Sequence, residues 1–207
     1  MEVIKSSVEL VNPMPYKEAL NITELATRVC YKSEDKMKEG SAEKLIKGII
    51  KSKHFGCLEH VNLTVKFICD RACSHQLVRH RLMSFNQKSQ RYCKEDNLEV
   101  IKPEGLENTS LWLESCRQAE NAYAEMIRRG EKPEVARGVL PNSTATEIYA
   151  TANIREWRHF FELRCDKTAQ KDIRMLALEL LCQMFEKYPV FFEDLVDKHA
   201  CVESLLV

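Results

Sequence analysis

The chain contains 207 residues, 44% of them apolar, and its 31 Lys and Arg side chains balance 31 Asp and Glu side chains. This length and apolar content suffice for a buried core, which argues against disorder and predicts a single domain over residues 1–207. The net charge of zero argues against a general nucleic-acid-binding protein, because such proteins usually carry a broad basic surface.

The nine cysteines include no Cys-x-x-Cys pair and no even framework of the secreted type, which favours reduced thiols. Residues 1–5 lack the apolar core of a signal peptide, and no apolar run approaches the roughly 20 residues that span a bilayer. We therefore expect a soluble, cytoplasmic protein without a membrane segment.

Apolar periodicity and turn residues predict the elements in chain order. A strand at 8–11 precedes two helices, one ending near residue 29 and one at 41–50, with a charged loop at 32–40 between them. A half-buried strand at 61–69 leads into a helix at 72–82, then into a loop at 84–94 that passes into extended chain. Helices follow at 110–129, from Pro133, at 155–164 and at 169–188, where Pro189 stops the last one, and a strand lies at 144–154. The predicted fold is α+β, one helix-rich domain with a modest sheet.

The basic segment, residues 71–94, contains six Lys or Arg and two His without a single Asp or Glu. Such a segment in a neutral chain indicates a specific anionic ligand such as a phosphate or a nucleotide, or else a solvated basic helix face. In a helix over 76–82, Arg79 and Arg81 would point about 200° apart. Either the helix ends there, or the two arginines serve two ligands or two subunits.

Two further patterns suggest a pocket. In extended chain Gln87, Ser89 and Arg91 would share a face and offer three donors to phosphate or sugar oxygens, although a plain polar loop is the alternative. In the helix at 155–164, projection places Trp157, Phe160, Phe161 and Leu163 on one arc and Arg155, Arg158, His159 and Glu162 on the other. Arg164 falls in the apolar arc, so it should meet an acidic partner, emerge at the helix end or face a ligand.

The sequence contains no Gly-x-Gly-x-x-Gly or Gly-x-x-x-x-Gly-Lys loop, so any phosphate must be held by side chains. His54, Glu59 and His60 match no metal-binding spacing such as His-Glu-x-x-His, and we expect no bound metal.

The arrangement Arg79-His80-Arg81, seven residues, Ser89, one residue, Arg91 resembles the hallmark of the flavin-dependent thymidylate synthases. Other blocks are similar to that family in order and spacing, and the matches span residues 54–170: His54 with Glu59-His60, Val135-Ala136-Arg137 with Leu140-Pro141, Asn153 with Arg155, and Leu163-Arg164 followed by Ala169-Gln170.

The resemblance implies reductive methylation of dUMP to dTMP, with 5,10-methylenetetrahydrofolate as carbon donor, NADPH as electron donor and FAD as the hydride carrier. It also implies a homotetramer with active sites at subunit junctions. Methylation would proceed without an enzyme cysteine nucleophile. The Pro-Cys-Gln nucleophile of the folate-only thymidylate synthases is absent, since Leu181 precedes Cys182-Gln183.

The same resemblance assigns residues to ligands. The implied FAD contacts are His54, which would also lie beside the folate, Arg79, His80, Arg81, Gln87, Asn153, Arg155 and His159. The implied dUMP contacts are Gln76, Arg79, Gln87, Lys88, Ser89, Gln90, Arg91, Arg137 and Arg164. Ser89, Arg91 and Arg137 would hold the phosphate, and Arg164 would polarise the uracil at its N3–O2 edge.

Arg164 and Ser89 are the candidate catalytic residues, although no base beside Ser89 is identifiable and phosphate binding is the simpler role for it. Members of the family often carry Glu where this chain has Gln87, which removes a charge near the ligands. One alternative is a non-enzymatic nucleotide or nucleic-acid binding protein that uses the basic helix at 72–82, but it leaves Arg137 and Arg164 unexplained. Another is a different flavoenzyme on a similar scaffold.

Overall fold

Helices dominate the protein. The computed structural model describes residues 1–11 and 13–199. In these residues the strands are β1 Glu2–Ile4, β2 Ser7–Val11, β3 Asn62–Asp70, β4 Ser84–Gln87, β5 Glu99–Ile101 and β6 Ala145–Asn153. The α-helices are α1 Tyr16–Arg28, α2 Ser41–Ser52, α3 Arg71–Leu77, α4 Thr109–Arg128, α5 Pro133–Ala136, α6 Ile154–Arg164, α7 Lys171–Lys187 and α8 Pro189–His199. Short 3-10 helices occupy Val29–Tyr31, Glu34–Lys36, Phe55–His60 and Arg137–Val139. The predicted helix-rich α+β class is confirmed.

Two small sheets carry the strands. β1 and β5 pair in parallel, with Val3 opposite Val100, and the larger sheet has the order β2-β3-β6-β4. In β3 the side chains of Leu63, Val65 and Phe67 are buried and alternate with polar residues, as the period of two predicts. No helix in the described part of the chain has both the length and the apolar character needed to span a membrane.

Two compact units divide the described chain, and each is assembled from several segments. Unit 1 comprises Met1–Val8, Lys66–His80 and Phe85–Tyr149, and unit 2 comprises Glu9–Val65, Arg81–Ser84 and the described residues from Ala150 onward. The single domain expected from the chain length stays a prediction.

Unit 1 is built around α4. The side chain of Asn108 caps this helix by accepting a hydrogen bond from the Leu111 N–H at 3.1 Å, and Gly130 follows its end with φ 92°. Cys116 of α4 is buried against Leu98 and Val100, next to the strand β5. The predicted helix at 110–129, with Gly130 after it, is therefore confirmed.

Unit 2 has an aromatic core. Trp157, Phe160 and Phe161 of α6 are fully buried, and Phe161 meets Phe192 of α8 edge to face with ring centroids 5.7 Å apart. The indole N–H of Trp157 donates to the Leu63 carbonyl at 3.1 Å. The helix α8 was not predicted, because Pro189 was interpreted as a stop, whereas here it is the first residue of a new helix.

Two predictions for the basic segment are wrong. The helix predicted at 72–82 ends at Leu77, so its last turn does not exist and the first explanation for the divergent Arg79 and Arg81 holds. The chain at 84–94 was predicted to be a loop that passes into extended chain, but the order is the reverse. The strand β4 comes first, at Ser84–Gln87, and the Ser89 carbonyl then accepts from the Tyr92 and Cys93 N–H groups at 3.2 and 2.9 Å. This turn prevents Gln87, Ser89 and Arg91 from alternating along one extended face.

Candidate active site

The predicted site residues divide between the two units. Unit 1 contains Gln76, Arg79, His80, Gln87, Lys88, Ser89, Gln90, Arg91 and Arg137, and unit 2 contains His54, Arg81, Asn153, Arg155, His159 and Arg164. Most of the expected dUMP contacts therefore lie in unit 1, and most of the expected FAD contacts lie in unit 2.

In unit 1, the end of β3 and the start of α3 fix the first part of the site. Asp70 caps α3, because its carboxylate accepts a hydrogen bond from the Cys73 N–H at 2.6 Å. Beyond α3, the His80 N–H donates to the Leu77 carbonyl at 3.1 Å in a turn. This turn buries the His80 side chain and leaves Arg79 exposed.

Gln87 is held as a neutral donor. Its amide nitrogen donates to the Ser74 hydroxyl at 3.0 Å and to the Thr146 hydroxyl at 3.1 Å, and the Ser74 hydroxyl donates to the Arg71 carbonyl at 2.9 Å. Both amide hydrogens are thus used as donors. A glutamate here would have to accept from both hydroxyls, so this network suits the glutamine that the chain carries.

The turn after β4 presents the expected phosphate ligands. The hydroxyl of Ser89 accepts from the Arg91 N–H at 3.3 Å, which stabilises the turn. Gln90 is buried, and its side-chain nitrogen has no hydrogen-bond partner within the described residues. A buried, unpaired donor is costly and is typical of a place where a ligand completes the hydrogen bonding.

Arg91 of this turn is connected to α5, and Arg137 at the end of α5 lies near Arg71. The Arg91 side chain donates to the Glu134 carboxylate of α5 at 2.9 Å, and Arg137 follows three residues after Glu134. Burial, and next the charge of Arg137, lower the pKa of the half-buried Arg71. The guanidinium of Arg71 was not among the predicted site residues, although its place in the basic segment was a signal. Lys88 differs from these arginines, because its ammonium pairs with the buried Glu95 at 2.8 Å.

Unit 2 contains a cavity of about 990 Å³, the α1–α2 cavity, which is lined by α1, α2, the segments that follow each of them, and Arg155. His54 and Arg155 are the predicted site residues in its wall. The Phe55 ring contributes an aromatic surface, and Arg155 forms an ion pair with the exposed carboxylate of Glu59. Cavities of this size hold small ligands and cofactors in many proteins.

The remaining predicted residues of unit 2 lie on or beside α6. Asn153 caps this helix, since its side-chain oxygen accepts from the Glu156 N–H at 2.9 Å. His159 is exposed, and Arg164 is half-buried at the last residue of α6, a position that agrees with one of the three alternatives given for it, emergence at the helix end.

Two residues of α6 contradict the predicted arcs. Leu163 is 49% exposed, whereas Arg158 is buried. Arg158 donates to both carboxylate oxygens of Asp194 at 2.8 and 2.6 Å and to the Phe191 carbonyl, and its guanidinium lies 5.4 Å from the centroid of the Phe55 ring. The physical reason for the burial of Arg158 is α8, which supplies Asp194 and Phe191 as its partners.

The described residues include no group of three or more His, Cys, Asp or Glu side chains arranged to hold a metal ion. Their cysteines are free thiols, of which Cys69, Cys73, Cys116 and Cys165 are buried. Burial raises the pKa of the Cys165 thiol to about 12 and also raises that of Cys116. Thiols with raised pKa values are poor nucleophiles near neutral pH. Cys201 lies outside the described residues.

Comparisons with known proteins identify the family of the chain. A family model described as thymidylate synthase complementing protein matches residues 9–190. A flavin-dependent thymidylate synthase from Mycolicibacterium vanbaalenii is 36% identical over 195 aligned residues, covering 84% of this chain and 78% of that protein. The enzyme of that name from Mycobacterium tuberculosis is 34% identical with the same coverage. The crystal structure of a UMP/dUMP methylase, PolB, from Streptomyces cacaoi bound with 5-Br dUMP is similar with a TM-score of 0.81 and 26% identity, over 96% of this chain and 97% of that one. The chain belongs to the family of flavin-dependent thymidylate synthases.

Proposed function

We propose that this protein methylates dUMP reductively to dTMP, with 5,10-methylenetetrahydrofolate as carbon donor, NADPH as electron donor and FAD as cofactor. The observation that carries the proposal is the cluster of anion-binding groups around the turn after β4. It combines Arg91, Arg137 and Arg71 with the buried, unpaired amide of Gln90. Guanidinium and amide donors of this kind favour a nucleotide phosphate.

In this proposal Ser89, Gln90, Arg91 and Arg137 bind the phosphate of dUMP, and Gln76, Arg79, Gln87 and Lys88 contact the rest of the nucleotide. The Glu134 carboxylate occupies Arg91 before the phosphate arrives. Because the Arg91 and Glu134 side chains are 58% and 35% exposed, water screens their ion pair and the phosphate can displace it at small cost.

The α1–α2 cavity fits a flavin dinucleotide in volume and chemistry, since it offers an aromatic wall at Phe55 and cationic or hydrogen-bonding groups at His54 and Arg155. We infer that FAD binds there. The other proposed contacts are Arg79, His80, Arg81, Gln87, Asn153 and His159, which need not come from one protomer in the proposed homotetramer. When bound, FAD supplies hydride that originates from NADPH.

Arg164 has the proposed role of binding the uracil ring at its N3–O2 edge. A guanidinium there stabilises negative charge on the ring and makes C5 a better carbon nucleophile. No thiol needs to add to the ring in this scheme. The raised pKa of Cys165 supports the scheme, because that sulfur stays protonated near neutral pH. We also propose a cytoplasmic location, which suits the free thiols.

Anaerobic release of tritium from dUMP labelled at C5, with and without added FAD, tests this function. We expect release that requires methylenetetrahydrofolate and NADPH, from a yellow protein whose flavin absorbance bleaches when NADPH is added. Colourless protein that binds DNA would support the non-enzymatic alternative, whose basic helix is shortened to end at Leu77. A flavoprotein whose spectrum does not respond to dUMP would point to a different flavoenzyme.

A further inference from the structure

Glu95 is a buried carboxylate that the proposed function leaves without a role. Its side chain is 3% exposed and lies in unit 1, shortly after the turn that follows β4. One carboxylate oxygen, Oε2, accepts from the Lys88 ammonium at 2.8 Å. The other oxygen, Oε1, is buried and has no hydrogen-bond partner among residues 1–11 and 13–199. Because a buried carboxylate is costly unless its oxygens are hydrogen-bonded, Oε1 indicates a donor that comes from outside the chain.

The position of this carboxylate is fixed from two sides. The Glu95 N–H donates to the hydroxyl of Tyr123, a buried residue of α4, at 3.2 Å. Lys88 is itself anchored, because its backbone N–H donates to the Glu147 carbonyl of β6 at 2.8 Å. These contacts hold Glu95 in place without using Oε1, so a ligand would meet an acceptor that is already ordered.

Glu95 also closes the segment that carries the expected phosphate ligands. Its ion pair with Lys88 joins the two ends of residues 88–95, and the turn after β4 lies between them. In that turn the side-chain nitrogen of Gln90 is likewise buried and unpaired within the part of the chain that the structure describes. One short segment thus contains an unpaired donor and an unpaired acceptor, both buried. This combination fits a ligand that offers both an anionic oxygen and a hydroxyl.

The arginines of the proposed phosphate site lie near the same carboxylate. Burial and the charge of Arg137 lower the pKa of Arg71, whereas the charge of Glu95 raises it. Arg71 is therefore within electrostatic reach of both Arg137 and Glu95. The unpaired acceptor and the phosphate-binding cations thus belong to one neighbourhood of unit 1.

The ligand proposed for this neighbourhood has a donor that needs an acceptor. Apart from its phosphate and its uracil ring, dUMP carries a 3′-hydroxyl on the sugar. The side chains proposed to contact dUMP are those of arginines, a lysine, glutamines and a serine, and none of them is a carboxylate. A carboxylate is a stronger acceptor than an amide or hydroxyl oxygen, so Glu95 would supply what the other contacts lack.

We propose that Glu95 determines specificity for the nucleotide sugar, with Oε1 accepting a hydrogen bond from the 3′-hydroxyl of dUMP. This inference rests on the proposed function, because it concerns the substrate of that reaction. Tyr123 is a positioning residue in this arrangement, since its hydroxyl holds the Glu95 backbone. A nucleotide without the 3′-hydroxyl would leave Oε1 buried and unpaired, which weakens its binding.

Calorimetry of the purified holoenzyme with two nucleotides tests this contact. The ligands are dUMP and 2′,3′-dideoxyuridine 5′-monophosphate, which differ in the 3′-hydroxyl. We expect the wild type to bind dUMP about tenfold or more tightly than the analogue, because the analogue lacks a charge-assisted hydrogen bond. In Glu95→Met the two affinities should become equal, and in Glu95→Gln the ratio should fall to an intermediate value, since an amide oxygen accepts more weakly than a carboxylate. Effects of the variants on phosphate binding cancel in the ratio, because both nucleotides carry the same phosphate.

Glu134→Gln is the matched control, because it removes another carboxylate of the proposed site, the one that pairs with Arg91. It should change both affinities by the same factor and keep the wild-type ratio. Wild-type protein that binds both nucleotides equally, or Glu95 variants that keep the wild-type ratio, would overturn the proposal and assign Oε1 to a buried water. Should Glu95→Met fail to fold, as judged by circular dichroism and bound FAD, an unchanged ratio in Glu95→Gln is sufficient to refute it.

Kinetics separate this inference from the proposed function. In Glu95→Gln the advantage of dUMP over the analogue in kcat/KM should shrink as the affinity ratio does, while the kcat for dUMP changes little. If wild-type protein releases no tritium from labelled dUMP, the proposed reaction fails, and the calorimetry still decides whether Glu95 recognises the sugar hydroxyl. Tritium release together with an unchanged affinity ratio in the Glu95 variants would overturn the inference and leave the proposed reaction intact.

Discussion

Replacing Gly48 by alanine should stabilise the protein. The residue lies inside α2, is exposed, and has open space where the new methyl group would stand. At an exposed helix interior, alanine is favoured over glycine by about 0.8–1.0 kcal/mol, and no lost contact offsets this term. For a chain of this size we expect the Tm to rise by about 2–4 °C, measured by circular dichroism without added ligand.

The matched control is Gly130→Ala. Gly130 also has open space around an added Cβ, but its φ of 92° places it in the region that L-residues rarely adopt. The same substitution should therefore lower the Tm, because alanine is strained at positive φ. The new methyl group of Gly48→Ala should also stand in the wall of the cavity proposed for FAD, so FAD should raise the Tm of this variant less than it raises that of the wild type. An unchanged or lowered Tm for Gly48→Ala without ligand would refute the reasoning.

Three further predictions concern the proposed phosphate site, the cysteines and the buried carboxyl group of Glu179. Arg137→Ala should weaken dUMP binding by about 1.5–3 kcal/mol, roughly 10- to 150-fold in Kd. Glu134→Gln should instead tighten dUMP binding, because it releases Arg91 from its ion pair. Unaltered dUMP affinity in both variants would contradict the proposed phosphate site. Replacing all cysteines by Ser or Ala should leave tritium release intact in folded protein, and dependence on one thiol would rule out thiol-free methylation. Burial raises the pKa of Glu179, so the folded state binds this proton more tightly than the unfolded chain and stability is lost as the pH rises above about 4.3. Glu179→Gln should thus match the wild type at lower pH and exceed it near neutrality in urea denaturation, and equal stability at both would disprove the linkage.

Elements with a strong local signal could be predicted from the sequence. The alternation of Leu63, Val65 and Phe67 specified β3 because a strand exposes one face and buries the other. The position of Gly130 likewise marked the end of α4, since glycine tolerates the positive φ that the chain adopts after the helix. Both signals act within a few residues, which is why no tertiary information was needed.

The environment of α6 could not be predicted in this way. Proline is compatible both with the end of one helix and with the first turn of the next, and Pro189 serves the second purpose here. Without α8 there was no Asp194 to pair with Arg158, a contact that spans 36 positions of sequence. Arg158, which was expected to face solvent, is therefore buried, and its guanidinium supports the cavity wall through Phe55.

The ion pairs formed by the predicted site residues were the other feature that the sequence could not reveal. Arg91, Arg155 and Lys88 were predicted to contact ligands, and each forms an ion pair with a glutamate of its own unit. Glu59, the partner of Arg155, is exposed, and Glu134, the partner of Arg91, is partly exposed, so a phosphate can compete for those guanidinium groups in water. The partner of Lys88 is the buried Glu95, and removing its cation would leave an uncompensated buried charge. The three cations are therefore not equally available to a ligand. The two arginines can exchange a carboxylate for a phosphate, whereas Lys88 can contact the nucleotide only while it stays paired with Glu95.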